Sequence, residues 1–174
     1  MKTYFSAEYL LQIALNYYEK CKLLKNLNRN ENLNELKQCL YDQCLILIAY
    51  DCDKNFEPCF KNGTKAHWAL VNGFMLPIKE EISTSEENRL VELNCDNEEL
   101  TKKVKNFETN NDLIFTINLH GKSKHYGVWS LNELLKSNFQ LKLIEQKRIN
   151  EDYVLPENNK TLEDTLALQA LVIY

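Results

Sequence analysis

His67 is the residue whose type and setting point most directly to chemistry. It follows a polar stretch, 51–65, that contains Pro58 and Gly63, and it enters the apolar run Ala-His-Trp-Ala-Leu-Val-Asn-Gly-Phe-Met-Leu. That places a titratable imidazole at the head of a strand and beside a loop, where a proton can be exchanged with a bound group. A histidine that only bonds a backbone carbonyl is the commoner meaning of such a position. Six cysteines accompany it: Cys21, Cys39, Cys44, Cys52, Cys59 and Cys95. The start, Met-Lys-Thr-Tyr-Phe, lacks the apolar core and cleavage site of a secretory signal, so these read as reduced thiols in a cytoplasmic chain. Cys44, Cys52, Cys59 and His67 offer three sulfurs and one nitrogen, enough for tetrahedral zinc. Their spacing is wide and lacks the C-x2-C knuckle, so neither a metal nor a cofactor is expected.

Asp51, Asp53, Asn55 and Glu57 line the loop before His67. They either shape a substrate cleft and orient the histidine, or form an acidic solvated loop closed by Asx turns. Lys54, Lys61, Lys65, Lys122 and Lys124 fall in two loops of a chain whose net charge is −4. Scattered surface lysines are the commoner meaning. If the two loops meet, they can attract an acidic peptide. The negative balance argues against a nucleic-acid binder, and no run is long and apolar enough to span a membrane. With glycines only at 63, 73, 121 and 127, no phosphate-cradling loop exists.

The elements that must position these residues read as one domain over 1–174, of 44% hydrophobic residues. Ser6 caps a helix expected to run to about Lys20, with Leu10, Ile13, Ala14 and Tyr17 on one face. A second helix is predicted over 31–43. Cys44 to Tyr50 is a buried strand, and Ala66 to Leu76 is another, bent at Gly73. Residues 78–108 are charged and weakly patterned, as in a surface insertion. Strands are predicted over Asp112–His120 and Lys124–Trp129. Ser130-Leu-Asn-Glu133 has the form of a capping box and opens a short helix to Ser137. Phe139–Glu145 alternates like a strand, and Leu168–Tyr174 closes the chain as an apolar strand. Helices followed by a mostly antiparallel sheet define an α+β class.

Two blocks carry a family resemblance. The first is Ile48-Ala-Tyr-Asp-Cys-Asp-Lys-Asn-Phe-Glu-Pro-Cys59 with Gly63-Thr-Lys-Ala-His-Trp-Ala69. The second is Gly121-Lys-Ser-Lys-His-Tyr126 with Val128-Trp129, then Ser137-Asn138-Phe-Gln-Leu141, Arg148, Tyr153-Val154, Pro156 and Gln169-Ala-Leu171. Together they resemble the actin maturation protease family, papain-like thiol proteases that remove the acetylated N-terminal residue of immature actin. The resemblance implies a papain-like fold and a cytoplasmic hydrolase acting as an aminopeptidase. It implies actin, free or carried by profilin, as partner, and neither nucleic acid nor membrane.

By that resemblance His67 is the catalytic base, and Asp51, Asp53, Lys65 and Trp68 lie along the substrate cleft. The family's nucleophile follows a glutamine and precedes a glycine at the head of a helix. No cysteine of this chain precedes a glycine, so none is assigned. The expectation is a C-terminal portion of a peptidase domain whose nucleophile helix lies upstream. The alternative is a catalytically inactive actin-binding or regulatory module. Where the family has an aspartate after the tryptophan of the second block, this chain has Ser130, and Asn132 is the candidate to orient His67.

Overall fold

A computed structural model describes residues 6–76, 113–145 and 161–174, with the backbone of two short strands at 3–4 and 153–154. The segment 78–108, Cys95, Arg148 and Pro156 lie outside the described residues. In chain order the elements are β1 (Thr3–Tyr4), α1 (Ala7–Ala14), β2 (Cys21–Leu24), α2 (Asn30–Tyr41), β3 (Leu45–Cys52), β4 (Pro58–Cys59) and β5 (Ala66–Met75). They continue with β6 (Phe115–His120), β7 (Tyr126–Ser130), α3 (Leu131–Phe139), β8 (Tyr153–Val154), α4 (Leu162–Thr165) and β9 (Ala170–Ile173).

The fold is α+β. Its seven-stranded sheet has the order β2-β9-β3-β5-β6-β7, with β4 added to β3, and every pairing in it is antiparallel. β1 and β8 form a separate parallel pair. Strand alternation divides the core in two. Ile46, Ile48, Tyr50 and Cys52 of β3 pack with Ala69, Val71 and Trp129 against Leu36 and Leu40 of α2 and Leu131, Leu134 and Leu135 of α3. Ala49, Ala66 and Trp68 pack instead with Ala7, Leu162 and Leu166.

Several expectations change. Ser6 caps α1 through its Oγ, which accepts the Tyr9 N–H at 3.4 Å, but the helix ends at Ala14. The chain then turns so that β2 can pair with β9, which leaves Tyr17 exposed. β5 does bend at Gly73, through a bulge between Val71 and Gly73. Ser130 makes no capping bond, because it still pairs with Phe115 as the last residue of β7. The Leu131 N–H goes to the Ile114 carbonyl at 2.7 Å instead. Residues 140–145 are not a strand. The Lys142 and Leu143 N–H groups donate to the Asn62 carbonyl, which pins the segment to the loop before His67.

Candidate active site

The loop that delivers His67 is organised around one buried carboxylate. Asp51 is fully buried; its Oδ1 accepts the Lys65 N–H at 2.8 Å. Its Oδ2 accepts from Lys61 N–H at 2.9 Å, Gly63 N–H at 2.7 Å and Gln140 Nε2 at 2.7 Å. Four donors satisfy a charge that would otherwise be costly to bury. Gly63 holds φ +97°, and a Cβ there would lie 2.6 Å from the Leu143 carbonyl oxygen, so the close approach requires glycine. From α3, Ser137 Oγ accepts the Asp51 N–H at 3.0 Å and lies within bonding distance of the Asp51 and Cys59 carbonyls. Asn138 Nδ2 bridges the carbonyls of Ala49 and Leu166. Two residues after the last of these loop bonds, His67 stands in β5 opposite Tyr50.

A second loop places a ring over the site. Asp53 Oδ1 accepts the N–H groups of Asn55 and Glu57, forming an Asx turn. Phe56 follows at φ +67°, a conformation uncommon for a bulky side chain, and its carbonyl accepts the Tyr50 hydroxyl at 2.8 Å. The Phe56 ring stacks on His120 with centroids 4.5 Å apart. His120, at the end of β6, lies edge-on to His67 with centroids 5.0 Å apart. Its Nδ1 accepts the Lys122 N–H at 3.1 Å, while its Nε2 is buried with no hydrogen-bond partner. Burial, reinforced by the Lys122 charge, pushes the His120 imidazole below its ordinary range and favours the neutral ring. Cys52 Sγ and one nitrogen from each of His67 and His120 all lie within 4.8 Å of one another.

This corner brings together two of the three histidines and one cysteine, from three neighbouring strands. It also brings the two lysine-bearing loops together, since Phe56 of one covers His120 and Lys122 of the other bonds it. The Lys65 ammonium pairs with Glu145 at 3.3 Å. Asp51 sits in the scaffold, out of reach of a substrate. Asp53 closes its own turn, and Trp68 packs on the sheet face opposite His67.

Asn132 is placed elsewhere. Ser130 pairs with Phe115, at the start of β6, whereas His120 closes that strand five residues on, about 17 Å along it at roughly 3.4 Å per residue. His67 lies beyond the His120 end, because it is Ala69 that pairs with His120. The register thus sets Asn132 beside the Phe115 end of β6 and His67 beside its His120 end, where the ring next to His67 is that of His120. In the sequence His120 was only the last residue of a strand. The signal that could have found it is its place at a turn, in the second of two strands that pair.

Among the described residues, the remaining thiols are those of Cys21, Cys39, Cys44 and Cys59. Burial pushes those of Cys21, Cys44 and Cys59 up, the opposite of an activated nucleophile. Cys39 Sγ is 3.8 Å from the Tyr174 hydroxyl, on the packed side of α2.

Residues 3–75 match the family described as Actin maturation protease-like, C-terminal domain. The actin maturation protease of Danio rerio is 32% identical over 152 residues, covering 83% of this chain and 48% of the relative. That of Drosophila melanogaster is 25% identical over 154 residues, covering 87% and 46%. That of Homo sapiens is 30% identical over 122 residues, covering 64% and 33%. The chain spans about half the length, or less, of these curated relatives. No solved structure matches it. The chain belongs to the actin maturation protease family and corresponds to the C-terminal halves of its members.

Proposed function

We propose that this chain is the imidazole-bearing portion of a papain-like cysteine aminopeptidase that removes the acetylated N-terminal residue of immature actin. The observation that carries the reading is His67, fixed at the head of β5 by the Asp51-centred loop and flanked by His120 at 5.0 Å. A base must be held by its surroundings, and the pairing of His67 with Tyr50 and the His120 ring beside it support that role. The thiolate would come from the half of the relatives' length that this chain does not span. His67 takes the thiol proton, and the sulfur attacks the carbonyl of the first residue. The tetrahedral intermediate collapses as His67 protonates the leaving amine, and water then hydrolyses the acyl-enzyme. The meeting of the two lysine-bearing loops supports an acidic peptide as substrate, which the actin N-terminus provides, and a cytoplasmic setting follows from that substrate. Charge reversal at Lys65 and Lys124 should then remove salt-sensitive actin binding.

The test is cleavage of an acetylated actin N-terminal peptide, read by mass spectrometry. This chain is compared with a version extended upstream through a Gln-x-x-x-Cys-Gly segment, each with and without His67→Ala. Activity in the extended form alone, abolished by His67→Ala, supports the proposal. Activity in neither form favours a non-catalytic actin-binding module. Activity in this chain alone would assign the nucleophile to one of its own cysteines.

A further inference from the structure

We infer that Cys52, His67 and His120 form a zinc-binding site that, when filled, withdraws His67 from proton transfer. The ligand atoms come from three adjacent strands, β3, β5 and β6, and all lie within 4.8 Å of one another. Around tetrahedral zinc, with bonds of about 2.0–2.3 Å, ligand atoms sit roughly 3.3–3.7 Å apart. No separation then has to shrink by more than about 1.5 Å. One thiolate and two imidazoles are a borderline-soft donor set, suited to zinc and unsuited to calcium or magnesium.

The second observation is the state of His120. It is 4% exposed, and its Nε2 is buried with no hydrogen-bond partner. A buried imidazole nitrogen left without a partner is destabilising, and a metal bond there would satisfy it. As the ring is placed, Nδ1 accepts the Lys122 N–H, so the proton resides on Nε2. Coordination through Nε2 moves that proton to Nδ1 and gives up the Lys122 contact. Lys122 lies in an exposed turn, where its amide can bond water instead. Cys52 releases its thiol proton to solvent, His67 and His120 bind as neutral rings, and the fourth position is left to water. No electrons are transferred. The set shares Cys52 and His67 with the ligands considered from the sequence. Cys44, at the opposite end of β3, and Cys59, on β4, give way to His120.

The consequence for catalysis rests on the proposed function, because a metal-bound imidazole cannot accept a thiol proton. Binding itself does not depend on that reading. The experiment titrates the full chain with Zn2+ by calorimetry and with Co2+ by absorption, where a thiolate ligand gives a charge-transfer band. One zinc per chain and a thiolate-to-cobalt band are expected. Cys52→Ser should abolish the band. His120→Gln should weaken binding by more than the roughly 10–100-fold that follows loss of an outer-sphere partner. Cys39→Ser and Cys59→Ser should leave binding unchanged. Folding of each variant is checked by circular dichroism. Unaltered zinc affinity in folded His120→Gln, no binding by the folded wild type, or loss of binding in Cys59→Ser overturns the assignment.

In the extended protein, zinc should inhibit peptide cleavage at the concentrations that fill the site, and a chelator should restore it. Filling without inhibition overturns the link to His67. An extended protein inactive even with chelator refutes the peptidase reading, while the titration still decides the metal site.

Discussion

Asp51 and His120 are buried to nearly the same degree, 0% and 4% exposed, and they behave in opposite ways. The Asp51 carboxylate receives four hydrogen bonds from three backbone amides and one side chain. His120 has one bond and leaves its second nitrogen without a partner. Saturation marks a structural group, since every bond is already made in the folded chain. An unsatisfied buried nitrogen is tolerated where a ligand or a neighbouring reactive group completes it. The site is thus a saturated scaffold carrying an unsaturated corner, and substitutions in the two should fail differently.

The largest loss of stability should come from Asp51→Ala, which strands four donors and should cost about 4 kcal/mol, read from the denaturant midpoint. A cost below about 1 kcal/mol would show that the carboxylate does not organise the loop. Gly63→Ala comes next, at about 2 kcal/mol, because φ +97° and the Leu143 carbonyl both exclude a Cβ. His120 contributes a pH dependence. Its folded pKa lies below the unfolded value because burial, and then Lys122, disfavour the charged ring. The unfolded chain therefore binds the extra proton first. Stability should fall as pH drops below about 6.5 and level off once the folded ring is also protonated. His120→Phe should remove that slope, with Lys122, His67, Cys52 and Tyr50 still around the site; a slope that persists would assign it to another group. The smallest effect belongs to Ser130→Ala. With no capping bond to lose, it should stay within about 0.5 kcal/mol, against the roughly 1 kcal/mol of a working cap.

The apolar runs made β3, β5 and β9 legible in the sequence, and helical periodicity did the same for α2. These elements are set by local pattern. What the pattern did not show depends on partners distant in the chain. β2 is only four residues long and becomes a strand because β9 is there to receive it. Residues 140–145 alternate like a strand but are captured by Asn62. The loop-to-strand position of His67 was legible in the sequence. The nearness of His120 was not, because 52 residues, among them the whole 78–108 segment, lie between it and His67, and only strand pairing brings them together. Ser130 misled for the same reason: its place before Leu-Asn-Glu suggests a cap, and only the pairing with Phe115 shows that it ends β7.

The most direct test of the His67 corner is peptide cleavage by the extended protein carrying, in turn, His67→Ala and Asn132→Ala, with kcat/KM measured for each. His67→Ala should lower kcat/KM by at least about 10³-fold, the scale of losing a catalytic base. Asn132→Ala should stay within a few-fold of the parent. Loss of activity in Asn132→Ala with retention in His67→Ala would contradict the assignment and move the reacting end of the sheet to the other side of the molecule.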